Sequence, residues 1–228
     1  MKRNSYFFYS QGKTEDEGRS LPNDRPQVPV GAASVAADTP FRYEDEEYAV
    51  RTADDILDEL GSPHTHALAK TRGVTLDYLL LTLSELCAPL SSVSVHKAPA
   101  AKVTLFLSVH ALLFSVATLV YHTAAEGLPV SISAEDGETP SLTLSVSRPS
   151  HTEEEAAAVF GLLKEARLPI LTALCEKGGF SLSLVPGDSV TEARFSMPRS
   201  GGDTLTLMAG VDPSLYAAFM LPLRRFTY

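Results

Sequence analysis

Histidine and threonine side chains recur at helical spacing within the most apolar stretch of the chain. His110, Phe114, Thr118 and His122 follow one another four residues apart, so on a helix they share one stripe. Imidazole and hydroxyl groups on such a stripe can line a ligand groove, or they can be buried with hydrogen-bond partners under a neighbouring helix. The sequence leaves both interpretations open.

A second pair of histidines lies further towards the N-terminus. His64 and His66 are two residues apart, a spacing that suits one face of a strand but not of a helix. No cysteine or carboxylate at ligand spacing accompanies them, so the pattern does not favour a metal site. Two interpretations remain: His66 accepts a phosphoryl group, or both residues are exposed histidines at the start of a helix.

The two cysteines of the chain point to a reducing compartment. Cys87 and Cys175 each lie inside an apolar helical pattern, where a free cysteine behaves as a small hydrophobic residue. A disulfide framework is therefore not expected. Residues 1–20 contain no apolar core of the kind found in secretory signals. We expect a cytoplasmic protein.

Charge and hydropathy exclude some classes of partner. The chain has 228 residues, 44% of them hydrophobic, and a formal charge of −9, which disfavours nucleic-acid binding because that binding needs Lys and Arg. Residues 103–121 reach the length of a membrane span. However, the polar side chains of His110, Ser115 and Thr118 and a change of period within the stretch favour a buried core segment over a membrane segment.

The stretch from Lys102 to Gly127 is the central element that must position the histidine stripe. Its first part alternates apolar and polar residues, as on a strand, and its second part has apolar residues three and four apart, as on a helix. The helical set is Val109, Leu112, Leu113, Val116, Leu119 and Val120. We therefore predict a strand followed by a core helix that ends at Gly127.

The N-terminal part is expected to be a tail followed by helices. Residues 1–47 are rich in Pro, Gly and acidic residues and predict a disordered, mobile tail. Residues 48–91 predict a helical segment, with a short helix capped by Thr52 and a longer helix capped by Thr75. The leucine ladder of the longer helix indicates that it is either sandwiched between layers or dimerises with a second copy.

The C-terminal part, residues 92–228, predicts an α+β domain. Residues 130–133 and 141–146 alternate as a hairpin, and Thr152 with Glu155 forms a capping box for a continuous Glu- and Ala-rich helix that reaches towards Leu171. A helix opened by Pro169 and ended by Gly178-Gly179 follows. The expected strands are 180–185, 190–197 and a final pair at 203–209 and 215–223. The predicted fold is a two-layer α/β sandwich, with a mixed sheet covered on one face by helices.

The order of these elements resembles a known family. Between about residues 92 and 198, a strand is followed by the helix HALLFSVATLVYHTAAEG, the hairpin LPVSIS and SLTLSVS, the segment LTALCEKGGFSLSLV and the closing strand TEARFSMP. This order is similar to the ATP-binding domain of sensor histidine kinases, the histidine-kinase-like ATPase fold also used by gyrase and MutL. In that family the helix carries an Asn that holds magnesium, an Asp-Gly loop binds adenine, and a Gly-rich motif cradles the phosphates.

The residues at these family positions differ in chemistry. The resemblance places His122 where the family has its magnesium-binding Asn and Thr118 one turn earlier, but magnesium prefers hard oxygen ligands. Residues 148–151, with the sequence RPSH, stand where the adenine Asp and its glycines are expected. The resemblance thus implies a vestigial groove at His110, Thr118 and His122, with no cofactor, no metal and no bound ATP.

Two classes of function are consistent with this pattern. The first is a non-catalytic protein of this fold that acts as an interaction or dimerisation module in bacterial signalling, with a protein partner or a second copy. The alternative is a sensor histidine kinase or a histidine phosphotransferase with divergent ATP-binding motifs. In the phosphotransferase, His66 would carry the phosphoryl group on a dimer helix.

Overall fold

The computed structural model describes residues 43–60, 72–96, 103–199 and 213–226. Several sequence predictions fall outside these residues: the tail up to residue 42, the histidines His64 and His66, and the strand at 203–209.

Helices and strands are mixed along the described residues in an α+β arrangement, as predicted. In chain order they are α1 (Tyr43–Leu60), β1 (Arg72–Thr75), α2 (Leu76–Cys87), β2 (Val93–Val95), β3 (Thr104–Leu107), α3 (Val109–Ala125), β4 (Val130–Glu135), β5 (Ser141–Val146), α4 (Glu153–Val159), α5 (Arg167–Gly178), β6 (Ser181–Val185), β7 (Thr191–Ser196) and α6 (Pro213–Arg225).

The main sheet is mixed and has one apolar face. Its strand order is β2-β4-β5-β7-β6, with β2 and β4 parallel and the other pairs antiparallel. Ile132 lies opposite Leu144, which lies opposite Ala193, and all three side chains are buried. Serines such as Ser131 and Ser145 alternate with them on the other face. The expected sheet, covered by helices on its apolar face, is confirmed.

The central helix α3 is buried along nearly its whole length. Ser108 caps it by accepting a hydrogen bond from the Ala111 amide at 3.3 Å, and Gly127 follows its end with φ +70°. Every residue from Val109 to Thr123 is buried. A helix that is apolar all round must be covered on all sides. Here α3 packs against the sheet and against α6, so helices are stacked on this face of the sheet.

The strand predicted before α3 is present, but it does not join the main sheet. β3 pairs antiparallel with β1 in a separate two-stranded sheet, in which Val74 lies opposite Leu105. Both of these side chains are buried, which explains why the pair is stable. Residues 103–121 are thus divided between a strand and a helix. None of the helices within the described ranges is long and apolar enough to cross a membrane.

Helix α2 has the predicted cap, and its leucine ladder is buried within the chain. The Thr75 side chain accepts a hydrogen bond from the Tyr78 amide at 3.2 Å. The leucines of the ladder, including Leu79 and Leu83, belong to the same hydrophobic core as α3, whereas Leu81 is 54% exposed. The broad apolar stripe of α2 is therefore buried within the same chain. Dimerisation through α2 stays a prediction.

Helix α1 begins earlier than predicted. It starts at Tyr43, so Thr52 lies inside the helix and is not its cap. Ala49, Ala53, Ile56 and Leu60 are buried at helical spacing and extend the apolar stripe towards the N-terminus. Because of the acidic residues before Ala49, the sequence predicted that the tail continues to residue 47. In the structure the last of these residues belong to α1, whose start they favour because they complement the positive end of its dipole.

The helix predicted from Thr152 towards Leu171 is not continuous. The Thr152 cap is present, because the Thr152 hydroxyl accepts from the Glu155 amide. The Glu155 carboxylate accepts from the amide of His151, the residue before the cap, and α4 ends at Val159. Gly161 has φ +67°, and its amide donates to the Ala158 carbonyl. The next amide, from Leu162, donates to the Ala157 carbonyl. This left-handed C-cap ends the helix and starts a turn that leads to α5.

The strand predicted at 215–223 is instead helix α6. Leu215, Ala218, Phe219 and Pro222 are buried three and four residues apart, which is helical and not alternating spacing. Pro213 occupies the first helical position, where its fixed φ is favourable and its missing amide costs nothing. The second proline, Pro222, lies one turn before the end of this helix.

Candidate functional site

The four residues of the histidine stripe are all buried on α3. His110 is 1% exposed, Thr118 1% and His122 7%, and Phe114 is fully buried. The structure therefore brings them together along one helix, as the spacing predicts, and other described residues cover all four side chains. These four side chains form the candidate site.

Helix α6 covers the N-terminal part of the stripe. The His110 Nε2 atom lies 3.1 Å from the Ser214 Oγ atom in the first turn of α6. The Phe114 ring packs edge-on against Phe226, with 6.2 Å between ring centroids. These contacts tie the start of α3 to both ends of α6.

A second set of contacts between α3 and α6 lies one turn before the end of α3. The Tyr121 ring meets Phe219 edge-on, with 5.4 Å between centroids, and the Tyr121 hydroxyl donates to the Met220 Sδ atom at 3.0 Å. Aromatic pairs of this geometry add to the stability gained from burial. The C-terminal helix is therefore a packed part of the core.

The turn after α4 covers the C-terminal end of the stripe. A Cβ atom added to Gly161 would overlap the imidazole ring of His122, at its Cγ, Cδ2 and Nδ1 atoms. Gly161 also has φ +67°, a conformation that strongly favours glycine. Gly161 thus allows the turn to lie directly on His122.

The surroundings of His122 favour its neutral form. Burial, the largest effect, lowers its pKa below the usual 6.5, and nearby Arg167 and Lys164 lower it further, while Glu126 raises it. A neutral imidazole under a closed turn is suited to packing and hydrogen bonding.

Arg167 connects the turn to the C-terminal helix. The Arg167 side chain is 3% exposed, and its guanidinium carbon lies 4.8 Å from the centre of the Phe226 ring. Its Nη2 atom lies 3.5 Å from the Glu165 Oε2 atom. A buried arginine needs such partners because desolvating its charge is costly. The cation therefore serves as a bridge between the turn and α6.

The start of α5 has no free amides for a phosphate cradle. The Arg167 amide donates to Lys164, the Leu168 amide donates to Leu162, and Pro169 has no amide hydrogen. The next amide, from Ile170, donates to Ala166. Phosphate binding at a helix N-terminus depends on unpaired amides, and the chain itself satisfies the ones present here.

The residues of the stripe do not fit a magnesium–nucleotide complex. The Thr118 hydroxyl donates to the backbone carbonyl of Phe114 at 2.9 Å, so it is engaged within its own helix. The other polar groups of the stripe are imidazoles, which are poor ligands for magnesium. Within the described residues no cluster of three or more histidine, cysteine or acidic side chains is placed to hold a metal ion.

The segment RPSH at 148–151 is fixed to the sheet. The Ser150 amide donates to Gly187, the Ser150 Oγ lies 2.7 Å from the Thr191 Oγ1, and Thr191 donates to the Arg148 carbonyl at 2.6 Å. Ser150 is 1% exposed. The segment expected at the adenine position is therefore a structural link between β5, β6 and β7.

Both cysteines are free and buried, as the sequence suggests. Burial raises the pKa of Cys87 to about 12, and it has the same effect at Cys175, where the thiol lies 3.7 Å from the Ser115 hydroxyl. Thiols with such pKa values are poor nucleophiles at neutral pH.

Sequence reasoning did not identify the residues that cover the stripe. Gly161, Arg167, Ser214 and Phe226 all contact it or each other across long sequence separations. The one local signal for α6 was its helical spacing of buried residues after Pro213. No local signal marks the contact between Gly161 and His122.

Comparisons with known proteins identify similar structures but no similar sequences. No protein-family model matches the chain, and no curated protein sequence matches it. The histidine kinase AdeS of Acinetobacter baumannii is 9% identical, over 66% of this chain and 75% of that one, with a TM-score of 0.41. The catalytic domain of histidine kinase ThkA is 14% identical, over 57% and 97%, with a TM-score of 0.44. The cytoplasmic segment of histidine kinase QseC is 13% identical, over 72% and 100%, with a TM-score of 0.43. All three of these similar structures come from histidine kinases.

Proposed function

We propose that this chain is a non-catalytic protein with a histidine-kinase-like ATPase fold that acts as an interaction module in bacterial signalling. The observation that carries the proposal is the packing of α6 and the Gly161 turn over the stripe of His110, Thr118 and His122. In the family that the sequence resembles, this side of the helix faces the nucleotide. Because the chain's own described residues cover this face, we expect them to exclude that ligand.

The chemistry around the stripe supports the same proposal. The first amides of α5 are bonded within the chain, and the stripe offers no hard oxygen ligands apart from a hydroxyl that bonds its own helix. The chain also carries a net charge of −9, which opposes a triphosphate. Geometry, ligand chemistry and electrostatics therefore all disfavour nucleotide turnover.

A thermal-shift titration of the full chain with magnesium and ATP tests the non-catalytic role. A ligand present at one hundred times its Kd stabilises a folded protein by about 2.7 kcal/mol, which is easily detected. We expect no change in melting temperature at millimolar nucleotide, with magnesium alone and magnesium triphosphate as matched controls. A saturable increase that needs both magnesium and adenine nucleotide would contradict the proposal.

The alternative function makes a different prediction. A working sensor kinase or phosphotransferase requires either ATP binding or a phosphorylated histidine, for which the candidate is His66. Incubation with a cognate kinase and its receiver would then label the wild type and not His66→Ala. An unlabelled wild type would remove the phosphotransferase, and the thermal-shift titration tests the sensor kinase.

A further inference from the structure

An apolar groove lies between α1, the turn that follows α4, and α5. Its volume is about 490 Å³, and its lining does not include the histidine stripe. The apolar part of the lining includes Ala49, Val50, Leu162, Leu163, Leu168 and Ala173. Leu163 is 53% exposed and Val50 is 45% exposed, so apolar surface is open to solvent on two sides of the groove. Adjoining exposed apolar residues around a concave surface mark interaction sites.

The backbone of the turn fixes the shape of this groove. Glu165 and Ala166 both have left-handed conformations, with φ +56° and +54°, which are rare for non-glycine residues. Hydrogen bonds from the amides of Arg167 and Leu168 back to the turn hold this arrangement. Arg167 is itself buried against Phe226. Because Ala166 lines the groove, its wall is held in place before any partner binds.

The charges around the groove indicate what kind of partner fits. The charged residues in the lining are Glu46 and Glu176, and both are exposed. Helix α1 forms one wall, and its residues 46–60 contain six acidic residues and one arginine. Two of the six, Asp54 and Glu59, pair with Lys177 and Arg225. Lys164 and Arg51 lie nearby in sequence but do not line the groove. A second copy of this chain, with net charge −9, would bring like charges together.

We propose that this groove binds an amphipathic helix of a protein partner, with apolar side chains three and four residues apart and Lys or Arg beside them. A helix of this kind places its apolar face in a groove and its charges at the rim. Here the apolar face would contact Val50 and Leu163, and the cations would face Glu46 and Glu176. This inference rests on the proposed interaction role and names the class of partner.

Fluorescence polarisation with labelled peptides tests the groove. The probe is a helical peptide of ~15 residues with leucines at helical spacing and lysines beside them, compared with a leucine–glutamate peptide and a scrambled leucine–lysine peptide. We expect saturable binding of the first peptide only. We expect Leu163→Glu to weaken this binding about tenfold or more, the change expected when one buried anchor residue is lost.

Leu81→Glu is the matched control, because Leu81 is 54% exposed on α2 and the substitution adds the same charge. Extra negative charge strengthens non-specific attraction to a basic peptide at either position, so only a groove contact makes Leu163→Glu weaker than Leu81→Glu. Val50→Glu repeats the test on the opposite wall, and circular dichroism checks that each variant is folded. Equal binding by all variants, or equal binding of the scrambled peptide, would overturn the inference.

The outcomes also separate this inference from the proposed function. If the chain binds neither nucleotide nor peptide, the inference about the groove is wrong and the proposed non-catalytic role stands. If the chain binds magnesium and ATP, the proposed non-catalytic role is contradicted, whether or not the peptide binds. A wild type that sediments as a dimer, and becomes a monomer in Leu163→Glu, would show that a second copy occupies the groove and would contradict the choice of partner.

Discussion

Replacing Gly161 with alanine should destabilise the fold because this glycine lies on His122. The position has φ +67°, and a Cβ atom there would overlap the buried imidazole ring. A left-handed conformation costs a non-glycine residue about 1–2 kcal/mol. Overpacking of a filled core typically costs about 1–3 kcal/mol more. We therefore expect the free energy of unfolding of Gly161→Ala to fall by about 2–5 kcal/mol, the sum of the two terms.

Gly127→Ala separates the two contributions. Gly127 has φ +70°, almost the same conformation, but an added Cβ atom would meet nothing within 4 Å. It should therefore lose only the backbone contribution, about 1–2 kcal/mol. Urea denaturation of both variants, analysed by linear extrapolation, gives the two free energies of unfolding.

A double-mutant cycle with His122→Ala then tests the contact itself. Once the imidazole is removed, the cost of Gly161→Ala should fall to that of Gly127→Ala, because the remaining penalty comes from the backbone. If Gly161→Ala costs no more than Gly127→Ala in the wild type, the turn does not press on His122. If removing the ring leaves the cost unchanged, the source of the destabilisation lies elsewhere. Either result would refute the inferred closure of this end of the stripe.

Three further predictions concern the same core. Burial lowers the pKa of His122, so the unfolded chain binds a proton there more readily than the folded chain does. The contribution of His122 to the free energy of unfolding should therefore be constant above the usual pKa of 6.5 and fall as the pH drops below it. His122→Gln should flatten this slope in urea titrations at several pH values, and an unchanged slope would contradict the assignment. Phe219→Ala should lower the free energy of unfolding by about 3–5 kcal/mol because it removes a buried ring between α6 and α3. Tyr216 is 53% exposed on the same helix, so Tyr216→Ala should lower it by less than about 0.5 kcal/mol in the same assay. Equal losses would show that α6 is not packed as described. Both cysteines, with pKa values of about 12, should react with iodoacetamide only after unfolding, and rapid labelling of the native chain at neutral pH would contradict their burial.

Local patterns in the sequence predicted the elements that depend on local physics. The caps at Thr75 and Thr152 and the glycine after α3 all follow from backbone groups that need partners at helix ends. The alternation in β4 and β5 predicted a hairpin, and their antiparallel register confirms it. The prediction of one buried face is only partly met, because Ser141 and Thr143 on the second face of β5 are also buried. These features were readable because each depends on residues within a few positions of one another.

The closure of the candidate site could not be predicted in this way. It depends on Ser214 and Phe226 reaching His110 and Phe114 from the other end of the chain, and on Gly161 lying over His122. The spacing predicted correctly that the stripe residues share one face, but it could not show what covers that face. The sequence predicted a strand at 215–223, so the prediction did not contain α6, the helix that covers this face.

The inference that the chain's own residues cover the side of α3 that carries His110, Thr118 and His122 can be tested directly by nuclear magnetic resonance. Imidazole signals of His110 and His122 are recorded in the full chain while magnesium and ATP are added to millimolar concentration. Because both rings are buried under α6 and the Gly161 turn, we expect their chemical shifts to stay unchanged. Saturable shifts at these two rings, absent with magnesium alone, would show that a nucleotide reaches the stripe and would contradict the central inference.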